Sequence, residues 1–78
     1  MTGQVIEHLI RLQKKDIAYV RHIFEGYDGI AHVTTVDRLQ SIVKVVAVSD
    51  FKEIVGMVLE KLGTEITMEL LGKEFSER

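Results

Sequence analysis

Seven consecutive residues, Ile42-Val43-Lys44-Val45-Val46-Ala47-Val48, constrain this chain more than any other feature. They are dominated by β-branched valine and isoleucine, which lose rotamer freedom in a helix and pack well on a pleated surface. At period two, Val43, Val45 and Ala47 form one side, and Ile42, Val46 and Val48 form the other with only Lys44 to meet water. A strand that is apolar on both sides needs cover on both. The run is also far shorter than the roughly 20 apolar residues that a membrane helix requires.

The neighbouring segments supply partners for that strand. From Val5 to Gln13, Ile6, Ile10 and Leu12 alternate with Glu7 and Arg11, which reads as a first strand. Asp16 offers an N-cap oxygen to a helix whose Ile17, Val20, Ile23, Phe24 and Tyr27 share one face. That helix is expected to stop in Glu25-Gly26-Tyr27-Asp28-Gly29, where either glycine can take positive φ. A second strand, Ile30 to Asp37, and a short connection, Arg38 to Ser41, then lead as a hairpin into the Ile42–Val48 strand. Asp50 and Glu53 have capping-box spacing ahead of a second helix carrying Phe51, Ile54, Val55, Val58 and Leu62, with Gly63 placed to end it. Gly56 inside that helix suggests a close approach to the sheet. Ile66, Met68 and Leu70 alternate with Thr67 and Glu69 in a last strand, and 72–78 reads as a polar C-terminal tail.

The order strand, helix, strand, strand, helix, strand predicts an α+β fold over residues 1–71: two βαβ units joined by a hairpin. The result is a ferredoxin-like βαββαβ sandwich, a four-stranded antiparallel sheet with both helices on one face. Such an arrangement leaves the other face open, and an open face should be polar. Here Val5, Leu9, Ile42, Val46, Val48 and Leu71 are expected to point that way, a pattern that marks an interface.

Size strengthens the case. A 78-residue chain has a core that supplies only about 3–5 kcal/mol on its own. Without cysteine there is no disulfide to help, which leaves association with a second copy. A net charge of −2 carries no footprint for nucleic acid or an anionic membrane surface. Met1-Thr2-Gly3-Gln4 lacks the basic and apolar stretches of a signal peptide, so a cytoplasmic location is expected.

Chemistry is sparse in the sequence. His8, His22 and His32 fall on separate elements without metal-ligand spacing, no serine or threonine sits in a nucleophile elbow, and neither a catalytic residue, a metal nor a cofactor is assigned. Two loops are the candidate ligand contacts. Gln13, Lys14, Lys15 and Asp16 put two cations before a helix N-terminus, and Gly26, Tyr27, Asp28 and Gly29 set an aromatic and an acid between two glycines.

Three segments, Lys15-Asp16-Ile17-Ala18-Tyr19-Val20, Phe24 to Ala31, and Thr35-Val36-Asp37, are similar to an uncharacterised bacterial domain-of-unknown-function family of small proteins. The likeness covers roughly Leu9 to Leu71 and implies no known activity. More broadly the pattern resembles ACT domains, ligand-sensing modules of this topology that assemble through their sheets and bind amino acids at the interface. Their first loop typically carries a glycine, and Gln13-Lys14-Lys15-Asp16 has none. The Cys-x-x-Cys of heavy-metal chaperones, the open-face aromatics of RNA-recognition motifs and the phosphate loop of acylphosphatases are all missing. The resemblance implies a non-enzymatic, regulatory homodimer or larger oligomer that senses a small ligand such as an amino acid. The alternative is a protein–protein interaction module that binds a different partner through the open face or an edge strand.

Overall fold

The computed structural model describes residues 4–26 and 29–77, with 73–77 given through their backbone alone. The elements run β1 (Gln4–Leu12), α1 (Ile17–Gly26), β2 (His32–Asp37), β3 (Ile42–Val48), α2 (Lys52–Glu65) and β4 (Met68–Glu77). The strands form one antiparallel sheet in the order β2-β3-β1-β4, which is the ferredoxin-like arrangement. β1 and β3 occupy the centre, so β3, apolar on both sides, is flanked by strands at both edges.

Register fixes which side chains meet the helices. Ile6 pairs with Ala47, His8 with Val45 and Ile10 with Val43, while Val33 lies opposite Val45. Directly opposed residues project to the same side of a sheet. Ile10, Leu12, Val33, Val43, Val45 and Ala47 form one buried cluster with Val20 and Phe24 of α1 and with Val55, Leu59 and Leu62 of α2. Both helices therefore cover that side, and the opposite side carries none.

The local stereochemistry departs from the sequence reading in several places. A 3₁₀ turn, Lys14–Asp16, precedes α1, so Asp16 lies inside a helical turn and its N–H donates to the Gln13 carbonyl at 2.9 Å. Another, Ser49–Phe51, precedes α2, which begins without a side-chain cap in place of the expected capping box. On α2 itself Val55, Leu59 and Leu62, one helical stripe, go inward, while Phe51 and Ile54 stay exposed. Gly63 does not stop the helix, which continues to Glu65 and closes with the Ile66 N–H on the Leu62 carbonyl at 2.9 Å. Gly56 approaches nothing, since a Cβ built there meets no atom within 4 Å.

The β2–β3 hairpin is set by Asp37, whose Oδ1 accepts the N–H groups of Leu39 at 3.0 Å and Gln40 at 3.1 Å. Ser41 completes the turn at φ 57°. Of the two glycines near the end of α1, Gly29 has positive φ, at 63°, while Gly26 is the last helical residue. The reading of 72–78 as a tail gives way over 72–77, since β4 pairs with β1 as far as Glu77 opposite Gln4; Arg78 lies outside the described residues. Polar composition hid this strand, which reaches past a bulge at Leu71, the residue left over between the Leu9–Gly72 and Ile10–Leu70 pairs.

Candidate functional site: the helix-free face of the sheet

Odd-numbered positions of β1 and even-numbered positions of β3 build the face without helices. The pairs are Val5–Val48, Glu7–Val46, Leu9–Lys44 and Arg11–Ile42, and β2 adds His32 opposite Val46 and Thr34 opposite Lys44. All of the central-strand residues expected at an interface, Val5, Leu9, Ile42, Val46 and Val48, share this face; Leu71 sits at the bulge of β4 and is 38% exposed. Their exposure is uneven. Leu9, Ile42 and Val46 are half-buried and Val48 is 44% exposed, whereas Val5 is only 6% exposed, with the Ser49–Phe51 turn lying against β1.

At the middle of the face sits one ion pair, Lys44 Nζ to Glu7 Oε1 at 3.8 Å, diagonal across β1 and β3. The Glu7 side chain keeps 17% of its surface and that of Lys44 36%. At 3.8 Å the two attract as charges without forming a hydrogen bond. Beside them, toward the start of β1, Val5, Gly29, Ile30, His32, Val46, Val48 and Phe51 line a groove of about 340 Å³.

The two candidate ligand loops do not come together within one chain. Gln13, Lys14, Lys15 and Asp16 stand before α1, and Gly26 and Gly29 follow it, so the ten residues of α1 separate them by about 15 Å. Gln13 borders a hollow of about 220 Å³ with Arg11, Leu12, Thr67, Met68 and Glu69, while Gly29 borders the groove at the other end of the sheet. Tyr27 and Asp28 lie outside the described residues. His32 is exposed on the helix-free face, His22 lies exposed on α1 and His8 faces the helix side of β1. Among the described residues no three His, Asp or Glu side chains are grouped to hold a metal ion, and no helix is long and apolar enough to cross a membrane.

Two side-chain arrangements escape sequence reasoning. Along the outer edge of β2, the Val33 N–H donates to Glu25 Oε2 at 3.2 Å and Arg21 Nε–H donates to the Val33 carbonyl at 3.4 Å. These residues of α1 take up the outward-facing backbone groups of Val33 on an edge strand. Between the helices, the Tyr19 hydroxyl donates to Glu65 Oε1 at 2.9 Å above a hollow of about 210 Å³. That bond to the carboxylate, followed by slight desolvation and the carboxylate's charge, raises the Tyr19 pKa above its usual 10.0. Exposed charged residues look like solvated helix faces in a sequence, so neither arrangement leaves a signal.

The family model of a domain of unknown function, DUF4911, matches residues 10–66, well over half of the chain. The chain belongs to this family. Comparison with curated proteins and with solved structures returns no match. The DUF4911 span runs from the last residues of β1 through α1, β2, β3 and α2. It contains Ile42, Lys44, Val46 and Val48 of the helix-free face, along with the Arg21–Glu25 cover on β2; Val5, Glu7, Leu9 and β4 lie outside the match.

Proposed function

We propose that this DUF4911 domain is a non-enzymatic, ACT-like regulatory module that works as a homo-oligomer and senses a small ligand. One observation carries the reading: the face without helices presents Leu9, Ile42, Val46 and Val48 around the central Glu7–Lys44 ion pair, on the two central strands of the sheet. Apolar side chains in that number on a water-facing sheet are what an assembly covers. The small core supports it, since few ways remain to stabilise a short cysteine-free chain. The sensing part rests on the likeness to ACT domains and on the groove beside Gly29, which combines an apolar floor with the His32 imidazole at its rim.

Two measurements test the two parts. Sedimentation of the purified chain at micromolar concentration is expected to show a species heavier than 8.9 kDa; a clean monomer would sink the assembly. A thermal-shift screen with amino acids and other small anions is expected to find a compound that raises the unfolding midpoint, because a ligand bound only by the folded state must do so. If nothing in the screen raises the midpoint, the sensing role fails while the assembly can still stand.

A further inference from the structure

How a second copy attaches follows from what borders the sheet. On β2 the outer edge is engaged at Val33: a strand added there would displace Glu25 from the Val33 N–H and Arg21 from its carbonyl. On β4 the edge is long but interrupted by the bulge at Leu71, and its sequence carries Glu69, Lys73, Glu74 and Glu77. Bulges and charges are the usual ways in which edge strands resist pairing. The face remains. Four strands about 4.8 Å apart and seven residues long at about 3.3 Å each present roughly 450 Å² per copy. Two copies bury roughly twice that before side-chain relief is counted, close to the roughly 1,000 Å² of a specific interface.

The charges on this face select the partner. Glu7 and Lys44 stand diagonally at its centre, both partly desolvated and 3.8 Å apart. A twofold axis lying in the interface, passing through the middle of the pair and perpendicular to the line that joins the two residues, places the Glu7 of each copy beside the Lys44 of the other, and the apolar residues around them then meet those of the second copy. The centre of the face is thus complementary to its own copy in charge as well as in hydrophobicity, while a second ion pair of the face, Arg11–Glu69 at 2.9 Å, lies toward the Leu12 end of β1. We infer that the chain dimerises face to face through β1 and β3, with the two Glu7–Lys44 pairs interleaved into a four-charge cluster. The inference rests on the self-association proposed above and specifies its surface and its charge register.

Charge reversals in different chains test it. E7K alone gathers four cations at the axis and K44E alone gathers four carboxylates, so each is expected to weaken dimerisation by about tenfold or more. An equimolar mixture of E7K and K44E is expected to restore a dimer, as a heterodimer. Within each variant chain the diagonal pair is still like-charged, so recovery on mixing can come only from contacts between chains. Circular dichroism on each variant alone checks that it is folded, and E7Q and K44Q replace any reversal that is not; each is then expected to weaken the dimer relative to the wild type. A wild-type monomer overturns both this inference and the self-association. A wild-type dimer that survives the reversals and substitutions, or reversed variants that do not recover on mixing, overturns the face-to-face register alone.

Discussion

Replacing Gly56 by alanine separates two accounts of α2. A glycine inside an amphipathic helix suggests that the backbone approaches the sheet, in which case G56A would clash and destabilise. The structure reverses the sign. Gly56 is exposed in the middle of the Lys52–Glu65 helix, and a Cβ built there finds no atom within 4 Å. With no contact to lose, the balance is set by the unfolded chain, where glycine has more freedom to give up than alanine; the gain is about 0.5–1 kcal/mol. For a domain of this size each 1 kcal/mol moves the thermal midpoint by about 4–8 °C, so G56A should melt roughly 2–8 °C higher. Urea unfolding at the same protein concentration should show a raised midpoint with an unchanged slope, fixed concentration being essential for an associating chain. A fall in the midpoint would refute the argument and place a neighbour, from this chain or from another copy, against the outer face of α2.

Phe24 is fully buried at the centre of the core, so F24A is expected to remove about 3–5 kcal/mol, against the roughly 4–12 kcal/mol total expected of 78 residues. Denaturant titration should find most of the stability gone, and a loss below 1 kcal/mol would contradict the packing of α1 on the sheet. Removing the carboxylate in E25A leaves the Val33 N–H at the β2 edge without its partner and should cost about 1 kcal/mol; R21A should cost less, because its 3.4 Å contact is longer. Light scattering during unfolding should also show E25A aggregating sooner, and equal behaviour of the two proteins would deny that Glu25 guards the edge. Because the Tyr19 pKa is raised in the fold, the bond to Glu65 stabilises below the unfolded value near 10.0 and is lost as pH climbs through the folded one. Phenolate absorbance in a Y27F background should show late titration of Tyr19 that E65Q brings back toward normal.

Much of the architecture was legible because it depends on periodicity. β3 has the bounds that its β-branched run implied, the alternation of Ile6, Ile10 and Leu12 against Glu7 and Arg11 set the two sides of β1, and Val20 and Phe24 mark the buried face of α1. What escaped depends on partners distant in sequence or on turn geometry. The 3₁₀ turn Ser49–Phe51 stands where a capping box was expected before α2. The polar end of β4 owes its strand form to pairing with β1, more than sixty residues earlier, which overrides weak local propensity. The cover on Val33 joins charges 8 and 12 residues away from it that look ordinary in sequence.

The separation of the two candidate ligand loops bears on how the proposed sensing and the proposed assembly would be connected. In a single chain the Gln13–Asp16 loop and the Gly29 turn stand at opposite ends of α1, too far apart to hold one small molecule. A twofold axis running across the strands through the Glu7–Lys44 pair inverts the strand direction and stacks the end of β1 near Leu12 in one copy over the end near Val5 in the other. In that arrangement the Gln13 end of each chain stands over the Gly29 end of its partner. An axis running along the strands keeps like ends together and never unites them. The first geometry makes ligand and dimer thermodynamically linked, since each must then tighten the other by the same factor, whereas the second allows the ligand to bind without regard to association. Whether a ligand shifts the dimerisation constant is therefore a measurement of axis direction as much as of function.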